Sequence, residues 1–104
     1  MPLLYHYTSH SNVKQIKRSG QINPSSGYFN RCGVWLTKLD PSLHSKREIL
    51  FNNYEYRGER AEKKLYRAAC YIQINIPESP DTLEDLSHLR THPNQDLWLW
   101  PNGP

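Results

Sequence analysis

The alternation in Cys70-Tyr71-Ile72-Gln73-Ile74-Asn75-Ile76 constrains this chain more than any other feature. Cys70, Ile72, Ile74 and Ile76 fall on one face of an extended segment, and Tyr71, Gln73 and Asn75 fall on the other. That is the period of a half-buried β-strand, not of a helix. The spacing predicts a strand over residues 65–76, ended by Pro77. Leu3 to Thr8 alternates in the same way, with Leu4, His6 and Thr8 opposite Leu3, Tyr5 and Tyr7. Gly33 to Thr37 and Asp96 to Trp100 complete the set of expected strands.

Between these strands lie helix signals. Ser9 and Ser11 are both N-cap candidates for a helix over residues 12–19, with Val13 and Ile16 on its apolar side and Gly20 just past its end. A second short helix is expected over 45–53, with Ile49 and Leu50 buried. A third is expected after Ser79-Pro80, carrying Leu83, Leu86 and Leu89 and stopped by His92-Pro93. Residues 23–32 read as a loop, Asp40-Pro41-Ser42 as a turn, and the charged stretch 53–64 as an exposed, mobile loop. The intervals between strands are too irregular for βαβ winding. The expected class is therefore α+β, with a bent or split antiparallel sheet and short flanking helices.

Length and composition narrow the function classes. With 104 residues the chain is one domain with a modest core. Only 37% of residues are hydrophobic, so the seven Tyr, three Trp and two Phe must supply much of the buried volume. The net charge of +3 suits an ordinary solvated surface or a polyanionic partner such as the pyrophosphate of NAD. Two cysteines, Cys32 and Cys70, allow one disulfide but no disulfide framework, and Cys70 is expected as a buried free thiol. No cleavable leader and no long apolar run is visible. The expectation is a cytoplasmic protein, or an effector delivered without a signal peptide, with no membrane partner.

Two short segments carry a resemblance: Leu4-Tyr5-His6-Tyr7-Thr8-Ser9 and Gly33-Val34-Trp35-Leu36-Thr37. In this order, with Gly20, Pro24, Asp40-Pro41-Ser42 and a late Asp96, the chain resembles small ADP-ribosyltransferases of the histidine–tyrosine–acid type, the group with a His-Tyr-Asp signature found in polymorphic toxins and stand-alone domains. The likeness covers roughly the first 42 residues and returns only as a pattern at the last strand. It implies an ADP-ribosyltransferase-like split sheet and NAD as a consumed substrate, with no metal. His6 would contact the adenosine ribose hydroxyls and the Tyr7 backbone the nicotinamide amide. Thr8 and Ser9 would make secondary contacts. Trp35 stands where the family usually has tyrosine, keeping a π face but losing a hydroxyl. Asp96 takes the place of the catalytic acid. Tyr54 and Tyr56 are candidates to stack on the second face of the nicotinamide, the alternative being surface tyrosines of a charged loop.

The chemistry explains these residue types. Breaking the bond between nicotinamide and ribose builds positive charge on the sugar. A nearby carboxylate lowers that barrier, and an aromatic face holds the cationic ring. The resemblance implies a mono-ADP-ribosyltransferase or NAD glycohydrolase. The acceptor is a protein, a nucleic acid, a small molecule or water, with an immunity or inhibitor protein as partner where the domain serves as a toxin. Asn94 stands where arginine-modifying relatives carry glutamate, so the pattern does not point to arginine as acceptor. The alternative is a catalytically silent module that binds NAD, ADP-ribose or nucleic acid. The residues also have plainer readings: His6 as a half-buried imidazole on a backbone carbonyl, Asp96 as a strand-entry cap, and the basic stretch 57–67 as a solvated face.

Overall fold

The computed structural model describes residues 3–27, 31–75, 83–89, 91, 92 and 94–101. The fold is α+β. Strand β1 (Leu3–Thr8) is followed by helix α1 (His10–Ser19), strands β2 (Ser25–Ser26) and β3 (Cys32–Leu36), and helices α2 (Lys46–Tyr54) and α3 (Gly58–Lys63). A 3₁₀ turn (Leu65–Ala68) leads into β4 (Cys70–Asn75), then β5 (Glu84–Asp85), a second 3₁₀ turn (Ser87–Leu89) and β6 (Trp98–Trp100). Among the described residues, no helix is long and apolar enough to cross a membrane.

Among the described residues all strand pairs are antiparallel, in two sheets: β1 with β4, and β2-β3-β6-β5. One bridge joins them: Tyr5 N–H donates to Thr37 O (2.8 Å) and Thr37 N–H to Tyr5 O (3.0 Å). The sheet is therefore split, and β1 and β3 diverge past this bridge. Gly33 is what lets β3 lie close to the end of β6, because a Cβ there would fall 2.7 Å from Leu99 Cδ1 and 2.8 Å from Trp100 O.

Burial explains why β1 anchors both layers. Its alternation sends Tyr5 and Tyr7 into a cluster with Ile49, Leu50, Ala61 and Ala68, while Leu4 joins Ile22, Val34 and Leu36 on the opposite face. A third cluster of Leu86, Leu97 and Leu99 sits under β6. Each fully buried aliphatic side chain contributes ~1.5–3 kcal/mol, against ~0.5–1.5 kcal/mol net for a hydrogen bond. Apolar burial thus holds the layers together, and the single bridge decides how they are angled.

The caps form as their chemistry dictates. Ser9 Oγ accepts the Asn12 N–H, and Gly20 closes α1 in the left-handed region (φ 75°). Ser45 and Glu48 make a reciprocal capping box on α2. Several segments differ from the sequence expectation: Ser25–Ser26, expected within a loop, form β2, and the last strand starts at Trp98 rather than Asp96. Residues 53–64 are not simply an exposed loop: α3 forms there because Ala61 packs into the Tyr5–Leu50 cluster, while its charged neighbours are taken up by an Arg47–Glu62 ion pair and by Arg57 over the Phe51 ring (4.7 Å). Residues 65–68 are a 3₁₀ turn rather than strand, so β4 starts at Cys70. The helix expected around Leu83, Leu86 and Leu89 is replaced by β5 and a 3₁₀ turn. Glu84 and Asp85 pair with Leu99 and Trp98, and Leu86 N–H donates to Leu97 O, so the sheet edge outcompetes local helix formation. Ser79, Pro80 and the rest of 76–82 lie outside the described residues. Cys32 and Cys70 are both free, and Cys70 is half-buried rather than enclosed.

Asn52 is the polar joint between α2 and the approach to β6. Its Oδ1 accepts the Asp96 N–H (2.7 Å), its Nδ2 donates to Asp96 O (2.9 Å), and its carbonyl accepts from Gln95 Nε2 (2.9 Å). Asn52 is buried. Asn52→Ala leaves an N–H and a C=O of Asp96 unpaired, and denaturant unfolding should show a loss of about 2–4 kcal/mol. A loss below ~0.5 kcal/mol would mean that water replaces the amide there.

Candidate functional site

The gap between β1 and β3 opens into a cleft of about 400 Å³. Its walls come from β1 (His6, Tyr7), β3 (Trp35, Leu36), the β2 hairpin (Ser25 to Gly27), the end of α2 with the following bend (Asn53, Tyr54, Tyr56), α3 (Arg60), the 3₁₀ turn (Arg67) and Leu97.

The backbone geometry of the gap follows from the bridge. In an antiparallel ladder, residues two apart direct their N–H and C=O groups to the same side. Tyr5 uses its pair on Thr37, so the backbone groups of Tyr7 also point away from β4 and toward β3. Those of Trp35 point toward β1. Tyr7 and Trp35 would be the next hydrogen-bonded pair in a continued ladder. Instead His6 Nδ1 lies 3.0 Å from Trp35 O. A carbonyl only accepts, so Nδ1 carries the proton and donates it. In the neutral ring, Nε2 then keeps its lone pair as an acceptor. Burial pushes the His6 pKa below the ordinary imidazole value, and the bond to the Trp35 carbonyl offsets this only in part.

The aromatic walls are held in place. Trp35 Nε1–H donates to Ser25 O (3.1 Å), tying the indole to β2. Gly27 lies directly against that ring: a Cβ there would fall 2.6 Å from Trp35 Cε2. Tyr54 and Tyr56, also lining the cleft, stack at 5.0 Å with an interplanar angle of 16°. Glu55 between them adopts φ 58°, the left-handed conformation that ends α2, and this reversal turns two tyrosines two residues apart toward each other.

Five of the residues selected from the sequence, His6, Tyr7, Trp35, Tyr54 and Tyr56, thus line one cleft. Three others do not. Thr8 is buried with its hydroxyl accepting from Asn12 Nδ2 (3.0 Å), and Ser9 caps α1. Asp96 stands behind the wall. Leu97, its neighbour, lines the cleft, and the Asp96 carboxylate instead accepts from Lys38 N–H (2.8 Å) and Thr37 Oγ1–H (3.2 Å). Asp96 and Leu97 precede β6, and the Asn52 side chain, bonded to both backbone groups of Asp96, holds the orientation of this segment. No carboxylate is among the described residues lining the cleft. Nor is a group of three His, Cys, Asp or Glu gathered as a metal site among the described residues.

Sequence reasoning missed Arg60, Arg67 and the Ser25–Gly27 hairpin. Tyr54, Tyr56 and Tyr66 interleaved with Arg57, Arg60 and Arg67 were the available signal, hidden by the high charge of the stretch. Searches against protein-family models, curated proteins and solved structures find no significant match to this chain.

Two outcomes test this geometry. The folded state holds His6 neutral, whereas the unfolded chain protonates it below about pH 6.5. Its contribution to stability is therefore present above that pH and lost as pH falls through the lower folded value. An NMR titration of the His6 ring should give a midpoint below 6.5, and one at or above 6.5 would contradict the assignment. In Gly27→Ala the indole or the hairpin must move, at a cost of ~1–3 kcal/mol. The Trp35 Nε1–H cross-peak should shift or broaden, and an unmoved peak would show that the contact is slack.

Proposed function

We propose that the cleft binds NAD and that the protein breaks its nicotinamide–ribose bond, passing ADP-ribose to an acceptor or to water: a mono-ADP-ribosyltransferase or NAD glycohydrolase. The observation that carries this reading is the convergence of His6, Tyr7, Trp35, Tyr54 and Tyr56, from three separate parts of the chain, on one cleft. Each offers what a piece of the dinucleotide needs. The Nε2 lone pair of neutral His6 accepts from a ribose hydroxyl. The Tyr7 N–H and C=O, directed into the gap, match the donor and acceptor of a carboxamide. The Trp35 ring and the Tyr54–Tyr56 stack provide flat faces for an aromatic ring that is cationic before cleavage. Held this way, the glycosidic bond is fixed relative to the attacking group, and orientation alone lowers the barrier.

Asp96 serves this reading as a positioning residue. Its carboxylate holds the backbone just after β3, at Lys38, and so sets the depth of Trp35 and Leu36. One observation favours a second reading. Charge develops on the ribose during cleavage, yet no carboxylate is among the described residues lining the cleft. A module that binds NAD or ADP-ribose without turnover would have this lining.

Nicotinamide release from NAD, measured beside NAD affinity, separates the two. Wild type should release nicotinamide, and folded His6→Ala should fall by about a hundredfold or more. Asp96→Ala should raise KM and lower kcat only modestly if it positions the wall, whereas a loss of kcat with unchanged KM would make it the catalytic acid. Saturable binding without release selects the silent module. Neither binding nor release, with protein and nucleic-acid acceptors supplied, would overturn the NAD reading.

A further inference from the structure

Arg60 and Arg67 both line the cleft, one from α3 and one from the following 3₁₀ turn. Their guanidinium carbons lie 4.6 and 5.9 Å from the centroid of the same ring, Tyr56, and Arg67 also sits 5.3 Å from that of Tyr54. Three other basic side chains have carboxylate partners: Arg31 with Glu84, Arg47 with Glu62, and Lys63 with Glu59 at 4.0 Å, while Lys38, Arg57 and Lys64 rest on aromatic rings away from the cleft. Among the described residues, no carboxylate pairs with Arg60 or Arg67. Arg67 Nε–H donates to the Tyr66 hydroxyl at 3.4 Å, and its guanidinium also hydrogen-bonds the Tyr54 hydroxyl.

Two positive charges gathered on one ring, in a concave site, repel each other, and no carboxylate among the described residues pairs with either. Cation–π contact attracts them but neutralises nothing, and it leaves most of their N–H donors unused. It also restricts both side chains to the wall, which reduces the ordering cost when a ligand arrives. Guanidinium groups presented in this way match phosphate oxygens in charge and in forked geometry. The stacked tyrosines beside them suit a ligand that joins an anion to a flat ring.

We infer that Arg60 and Arg67 form the anion subsite of the cleft and take the diphosphate of a dinucleotide. Naming that ligand rests on the NAD reading; the anion subsite itself does not. Tyr56 is the shared platform that brings the two arginines together.

The test is calorimetric titration of wild type, Arg60→Gln, Arg67→Gln and Arg67→Lys with NAD, ADP-ribose, inorganic diphosphate and adenosine, each variant checked for folding by circular dichroism. Wild type should bind ADP-ribose, with affinity falling as salt rises. Each glutamine variant should weaken it about tenfold or more while leaving adenosine unchanged. Arg67→Lys should recover part of the loss, because it keeps the charge without the fork. Unchanged ADP-ribose affinity in both folded glutamine variants would overturn the subsite and leave the NAD reading standing. Diphosphate binding that depends on the arginines, without NAD or ADP-ribose binding, would do the reverse. Wild type that binds no probe would overturn both. If the glutamine variants do not fold, the Arg60 and Arg67 Nε–H signals of wild type decide: they must shift on diphosphate addition, and shifts confined to other residues would overturn the subsite.

Discussion

The two hydrogen bonds between Tyr5 and Thr37 are the hinge on which this structure turns. They join β1 to β3 at one point and no further, so a sheet that would otherwise be continuous divides. On one side of the joint, apolar clusters close over both faces of β1. On the other, the strands part, and the backbone groups that a ladder would have consumed are turned toward a cleft. The His6 ring occupies the Trp35 carbonyl at that parting and thereby sets its own tautomer. A longer β1–β3 ladder would satisfy more backbone bonds but would erase the cleft.

The wall opposite the hinge depends on polar contacts instead. Asn52 links α2 to both backbone groups of Asp96, and the Asp96 side chain reaches on to Lys38 just beyond β3. Buried amide bonds of this kind are directional, and leaving them unpaired is costly. They hold the approach to β6 at a defined height, which places Leu97 against the cleft and Asp96 behind it. The acid that sequence order nominates for chemistry is thus engaged in holding the frame.

Charge is distributed unevenly around the same site. Carboxylates pair with Arg31 and Arg47, whereas Arg60 and Arg67 rest on tyrosine rings at the cleft. The left-handed turn at Glu55 makes this possible, since without it Tyr54 and Tyr56 would diverge as neighbours in a helix do.

Local periodicity and capping chemistry were legible before any coordinates. The alternation of β1 and β4, Ser9 and Gly20 around α1, a short helix near 45–53, and the α+β class all follow from interactions within a few residues. The choice of His6, Tyr7 and Trp35 was also visible, because the segments that carry them are short and contiguous. The failures share a cause. Leucines at 83, 86 and 89 suit a helix until β6 offers Glu84 and Asp85 a sheet edge, and the charged run 57–67 looks like a solvated surface until Ala61 packs and Arg60 and Arg67 find Tyr56. Asp96 lies one residue from the cleft wall, and only the register of the approach to β6, fixed by Asn52 from 44 positions away in sequence, decides which side it faces. Sequence by itself determined β1, α1, α2 and the centres of β3 and β4, because side-chain periodicity and helix signals there are local. Tertiary structure alone decided where β1 leaves β3, which way Asp96 turns and where the arginines rest, because each is set by partners tens of residues apart.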